Sequence, residues 1–231
     1  MGWIERDYPD TASLVAGVAT VFESTCRDAI AQRGGAFLAL AGGRTPLPVY
    51  AHLAGAQLGG RIEALPTDER CVPHDHPACN LRNLREAFAA DAGIALEPVT
   101  AVDGDIDASL AQARSLLATH PQPFDAVLLG MGADGHFASL FPGAANLADG
   151  LALDSGVDAI AILPDPLPPE APFARISLTL PRLLRARAVH LVASGHDKRA
   201  ILRRAQQEPQ APYPVAALLH APASIHIHWS P

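Results

Sequence analysis

An apolar run that breaks abruptly into glycine constrains this chain more than any other feature: residues 124–143 read FDAVLLGMGADGHFASLFPG. Ala126 to Leu129 form the short continuous apolar segment expected of a buried strand, and Gly130, Gly132 and Gly135 follow at once, where backbone can turn sharply or approach a ligand. This pattern delivers Asp134 and His136 to the carboxyl end of a strand, where open α/β sheets bind their ligands. His136 is the candidate general base, with the Asp134 carboxylate beside it. The three glycines also satisfy G-x-G-x-x-G, but Pro142 and Gly143 end any helix after about two turns, too soon for a dinucleotide fold. Asp154, near the spacing of a ribose-binding acid, lies in a Gly- and Asp-rich loop rather than at a strand end.

A second unit of the same kind precedes it. Apolar residues Leu14, Val18, Val21, Phe22 and Ile30 recur at helical steps across Thr11 to Arg33, Gly34 and Gly35 stop that helix, and Ala36 to Ala41 reads as a parallel strand. It runs into Gly42, Gly43, Arg44, Thr45 and Pro46, a glycine turn at which Thr45 is expected to cap a helix that Pro46 begins. Backbone N–H groups and a helix dipole would then converge near a cation, an arrangement suited to phosphate. No Gly-Lys-Ser/Thr follows, so a phosphate monoester fits better than a nucleoside triphosphate.

A third strand at Ile62 to Leu65 leads to Asp68, Glu69 and Arg70, where each acid is expected to fix the arginine so that its fork meets a phosphate or an oxyanion. Cys71, His74, His76 and Cys79 have the residue types of a zinc site but not its spacing, so no metal is expected. Helices are expected at Asn80 to Ala90, Asp107 to His120 and Arg199 to Gln206, with Lys198 at the entry of the last. Further strands are expected at Val157 to Leu163 and Ala188 to Ala193. Ala174 to Leu180 alternates apolar and polar residues, the mark of a half-buried strand at an edge or running antiparallel, and Pro181 begins a short basic helix. His226 and His228 share a face of the closing strand and are expected to be exposed.

With 231 residues and a 49% apolar share, the chain can form one domain, residues 1–231, with a mainly parallel α/β sheet. A net charge of −7 carries no footprint for nucleic acid or an anionic membrane, so a bound anion must be held by a local cluster. Three dispersed cysteines and a polar N-terminus without a signal-like apolar core predict a cytoplasmic protein.

Taken together and in this order, AGGRTP, TDERCVP with Cys79-Asn80, LLGMGADGHFASLFPG, and ARISLTLP with SGHDKRAIL resemble the signature segments of the 6-phosphogluconolactonase family. The departures are Thr67, Cys71 and Cys79, where a glycine, an aromatic residue and a serine are common, and the proline-rich stretch before Ala174. The resemblance implies a doubly wound α/β fold like that of glucosamine-6-phosphate deaminases. It also implies hydrolysis of 6-phospho-D-glucono-1,5-lactone in the pentose phosphate pathway, with a small sugar phosphate as the partner and no cofactor or metal. It makes His136 the general base or acid and Arg70 a substrate or oxyanion contact. Gly42, Gly43, Arg44 and Thr45, with Arg175 and Lys198, become anion-binding groups beside Asp68. Two other readings share parts of this pattern. An aminosugar-phosphate deaminase or isomerase would carry Asn-Glu-Pro after the Gly-His, and a non-catalytic sugar-phosphate sensor would carry a DNA-binding helix pair; neither feature is present here.

Overall fold

The computed structural model describes residues 2–90, 93–169 and 171–231. Its strands are β1 (Trp3–Asp7), β2 (Gly35–Leu40), β3 (Arg61–Pro66), β4 (Asp68–Arg70), β5 (Ile94–Leu96), β6 (Ala126–Gly130), β7 (Ala159–Ile162), β8 (Arg175–Leu178), β9 (Val189–Ser194) and β10 (Ile225–Ser230). The helices are α1 (Thr11–Arg33), α2 (Leu47–Gly55), α3 (Asn80–Ala87), α4 (Ile106–Thr119), α5 (Leu147–Leu151), α6 (Leu180–Leu184), α7 (His196–Gln207) and α8 (Pro214–Leu219). Seven strands pair in parallel in the order β1-β10-β9-β6-β2-β3-β5, and β4-β8-β7 form a small antiparallel sheet.

The strand order places the ligand crevice. From β2 the chain winds outward through β3 to β5, then returns to β6 on the other side of β2 and winds the opposite way through β9 and β10. The reversal lies between β2 and β6, and in open α/β sheets the crevice opens at the carboxyl ends of such a pair. Both strands are covered on both faces. Leu38, Leu40, Ala126 and Leu128 pack with α1, α2 and α3, while Phe37, Ala39, Val127 and Leu129 pack with α4, α7 and α8. Each buried leucine, valine or phenylalanine among them stabilises the fold by about 1.5–3 kcal/mol, so the loops after β2 and β6 leave from firmly held backbone. Helix α1 has ordinary stops: the Asp10 carboxylate accepts from the Ser13 N–H at 2.7 Å, and Gly34 ends the helix in the left-handed region.

Three expectations need correction. Helix α2 starts at Leu47 behind Pro46, without a side-chain cap, so Thr45 belongs to the turn and does not close the helix end. Strand β8 is antiparallel but neither half-buried nor at an edge; it is the central strand of the small sheet and is buried throughout. Its polar residues find partners there. The Ser177 hydroxyl accepts from the Ser139 N–H at 3.1 Å, and Thr179 caps α6. The closing strand differs most. His228 is fully buried, its Nδ1 3.0 Å from the Tyr8 hydroxyl and its Nε2 3.1 Å from Nδ1 of buried His190, on which the partly buried His226 stacks. The edge strand β1, exposed along most of its length, had no counterpart in the pattern reading.

Candidate active site

The loops after β2, β3, β6 and β9 meet around one open polar cleft, lined among others by Gly42, Gly43, Arg44, Thr45, Asp68, Arg70, Asn80, Gly132, His136, Arg175 and Lys198. Asp134 stands behind it. The residue types singled out in separate segments of the sequence are therefore brought together.

In the turn after β6 the Asp134 Oδ1 accepts from the His136 backbone N–H at 3.2 Å and lies 2.6 Å from the His136 Nδ1. Burial alone would raise the Asp134 carboxyl, but the hydrogen bond and charge of His136, with its backbone N–H, outweigh burial and hold the group below the ordinary carboxylate value. An ionised carboxylate only accepts, so Nδ1 carries the proton and Nε2 is left as the basic nitrogen. The imidazole rests on Phe141, with ring centroids 4.1 Å apart, which limits its rotation. Gly132 is required by close approach: a Cβ there would overlap the ring of His136 and come within 2.6 Å of the Asp134 Oδ1.

The Asp68, Glu69 and Arg70 cluster does not work as the sequence suggested. Neither acid holds the guanidinium. Glu69 is fully buried and accepts from the backbone N–H groups of Arg70, Asn80 and Leu81 at 2.8, 2.7 and 2.7 Å, which closes the start of α3. Burial raises its pKa against those three bonds. The Asp68 carboxylate accepts from the hydroxyls of Ser139 at 2.5 Å and Thr67 at 3.1 Å. That bond also fixes Ser139 as a buried strut between the His136 turn and β4 rather than a nucleophile. Arg70 instead donates from Nη1 to the Ala78 carbonyl at 2.6 Å and the Asn80 Oδ1 at 3.0 Å.

Arg175 stands directly opposite Arg70 in the β4–β8 register, although like charges so placed repel. Its Nε and Nη2 donate to the carbonyls of Phe173 at 3.1 Å and Ala171 at 2.9 Å, and its guanidinium lies over Phe141. Burial first, and then the charge of Arg70, lower its pKa to about 10, against the pull of Asp68 and Glu69. Lys198, in the first turn of α7, is lowered by burial and by Arg44, with Asp134 opposing. Among the described residues none of these four cations forms an ion pair. Four unneutralised cations facing one cleft make a site for a polyanion of small size.

The zinc-like residues separate. His74 turns to Thr100, His76 lies edge-on to Phe173, and the Cys79 thiol faces Glu69. In the sequence Asn80 stands out as a residue at a helix start and as part of a signature segment, not as a site residue, yet it bridges the site. Its Nδ2 donates to the Asp68 carbonyl at 2.8 Å while its Oδ1 holds Arg70, and a Cβ on Gly42 would overlap it. The signal available in the sequence was an amide directly after Cys79 in a segment already rich in charge.

Comparison with known proteins gives concordant matches. The family model for glucosamine-6-phosphate isomerases/6-phosphogluconolactonase matches residues 9–229. A 6-phosphogluconolactonase of Caulobacter vibrioides is 36% identical, covering 96% of this chain and 92% of its own length. One from Pseudomonas putida is 34% identical, covering 98% and 92%. The crystal structure of a 6-phosphogluconolactonase from Shewanella baltica superposes with a TM-score of 0.87 at 26% identity, over 99% of this chain and 97% of that one.

Proposed function

The chain belongs to the glucosamine-6-phosphate isomerase/6-phosphogluconolactonase family, and from that premise we propose that it hydrolyses 6-phospho-D-glucono-1,5-lactone to 6-phospho-D-gluconate in the pentose phosphate pathway. The observation that carries this reading is a histidine oriented by a carboxylate, in a cleft with four cations that, among the described residues, form no ion pair.

The His136 Nε2 takes a proton from water as the water oxygen bonds to C1 of the lactone. Asp134 fixes the tautomer and stabilises the imidazolium that forms. Arg70, which faces Arg175 across β4 and β8, meets the negative charge developing on the carbonyl oxygen, the kind of contact that supplies the largest electrostatic term in acyl chemistry. When the tetrahedral intermediate collapses, the bond from C1 to the ring oxygen breaks and His136 returns its proton to that oxygen. The new carboxylic acid then loses its proton to solvent. Gly42, Gly43, Arg44 and Thr45, with Lys198, hold the phosphate, and Asp68 keeps the β4 backbone registered to the His136 turn through Ser139. The unit acts as one domain over residues 1–231, with a small sugar phosphate as its partner. A cytoplasmic setting fits the three free cysteines, Cys26, Cys71 and Cys79. Among the described residues no helix is long and apolar enough to cross a membrane.

The segment after His136 bears on the deaminase alternative. Ser139 is committed to Asp68 and Phe141 to the imidazole, so residues 137–142 bring no second carboxylate to the base. The test is a direct assay of 6-phosphogluconate release, with glucosamine 6-phosphate assayed for ammonia release beside it. Lactone turnover without ammonia is expected, and the reverse result would overturn the reading.

A further inference from the structure

We propose that Asn80 is the positioning residue for Arg70, and that it holds this arginine through a neutral acceptor so that the guanidinium keeps its whole charge for the ligand. The inference rests on the reading above and extends it to a residue that acts through Arg70.

Arg70 follows two carboxylates in the chain and pairs with neither. The oxygens of Glu69 are taken by three backbone N–H groups and those of Asp68 by two hydroxyls. Among the described residues, the guanidinium donates to oxygens without formal charge: Nη1 bonds to the Ala78 carbonyl and to the Asn80 Oδ1. Its Nε is buried with no partner. The amide cannot turn over without loss, because its Nδ2 donates to the Asp68 carbonyl, so Oδ1 is the atom left to face Arg70. Asn80 is itself fixed at both ends. Its backbone N–H is bound by Glu69, and its side chain lies so close to Gly42 that only glycine fits there. One amide thus ties the phosphate-type turn after β2, the β4 backbone and the Arg70 fork into a single arrangement. A carboxylate in its place would satisfy the same donor but draw off the charge that an incoming anion meets.

The test compares Asn80→Ala and Asn80→Asp with the parent protein, measuring the Kd for 6-phosphogluconate by calorimetry and thermal unfolding in parallel. Both substitutions remove the N–H to the Asp68 carbonyl; only the second places a carboxylate against Arg70. Affinity should fall in the order parent, Asn80→Ala, Asn80→Asp, the last weaker than the alanine variant by about tenfold or more, as for loss of a charge-assisted contact. Thermal stability should not follow that order, since the aspartate keeps the side-chain volume. If Asn80→Asp binds as well as Asn80→Ala or better, or if affinity tracks melting temperature, the inference fails. Asn80→Ser supplies a second neutral variant should the alanine form be unstable, with the same ranking against Asn80→Asp required. Inorganic phosphate serves as an independent probe. If the parent binds phosphate but not 6-phosphogluconate, the substrate reading fails while the ranking of the variants still decides the role of Asn80.

Discussion

Acidification offers a quantitative test of the buried histidine pair on β9 and β10, neither of which lines the cleft. His190 is 2% exposed and His228 fully buried, with Phe22 of α1 over the first ring and Tyr8 bonded to the second. Burial first, then the charges of His228, His226 and Arg6, push the His190 pKa down to about 3, and burial, Arg6 and His226 lower His228 to about 4. In an unfolded chain both would titrate near 6.5. The folded value is the lower one, so the unfolded state takes up protons first as pH falls. Stability is therefore intact above about pH 6.5 and is lost progressively between there and pH 3 to 4. For His190 alone the loss at pH 5 is about RT ln(1 + 10^1.5), or about 2 kcal/mol, a sizeable part of a typical stability of about 5–15 kcal/mol. Urea unfolding at several pH values between 7.5 and 5 should show the parent losing about 2 kcal/mol more than His190→Gln, which keeps an acceptor for His228 but does not titrate. In melting temperature this corresponds to a difference of about 4–8 °C for a chain of this size. Parallel pH profiles for the two proteins would refute the argument, because the more strongly lowered of the two histidines would then contribute nothing to the slope.

Three further outcomes concern the cleft. His136→Ala should lower kcat by about two to four orders of magnitude in a folded protein, checked by circular dichroism beside turnover. Gly132→Ala should cost roughly 100-fold in kcat by displacing the imidazole and its carboxylate, with little change in secondary structure, since the atoms nearest the new methyl group belong to those side chains. Neutralising Arg44 or Lys198 should reduce the preference for 6-phosphogluconolactone over unphosphorylated gluconolactone about tenfold or more, measured as the ratio of the two kcat/KM values; an unchanged ratio moves the phosphate toward Arg175.

How much could be read from the chain follows from where each residue's partners lie. Strands β2 and β6 were legible because continuous apolar runs ending in glycine have few other uses, and Asp134 with His136 because their contact spans two residues of one turn. Strand β8 misled because its polar positions look solvent-facing until the groups that satisfy them are known: Ser139, 38 positions away, for Ser177, and the carbonyls of Ala171 and Phe173, just outside the strand, for Arg175. The closing-strand histidines misled in the same way, with Tyr8 lying 220 positions from His228. Alternation reports which side chains share a face; it cannot report whether a polar face has been met by another segment.

The same distinction explains how an acidic chain can present a cationic cleft. Its 24 Asp and Glu residues outnumber 17 Lys and Arg residues, so the mean field of the molecule opposes an anion. What favours one is the commitment of the nearby acids elsewhere. Glu69 is spent on a helix start and Asp68 on two hydroxyls, while Asp134 faces His136. Arg44, Arg70, Arg175 and Lys198 then face the cleft and, among the described residues, form no ion pair. Composition alone predicts repulsion. The hydrogen-bond assignment of three carboxylates turns that into local attraction, which is why adding a single carboxylate at Asn80 should outweigh the many already present in the chain.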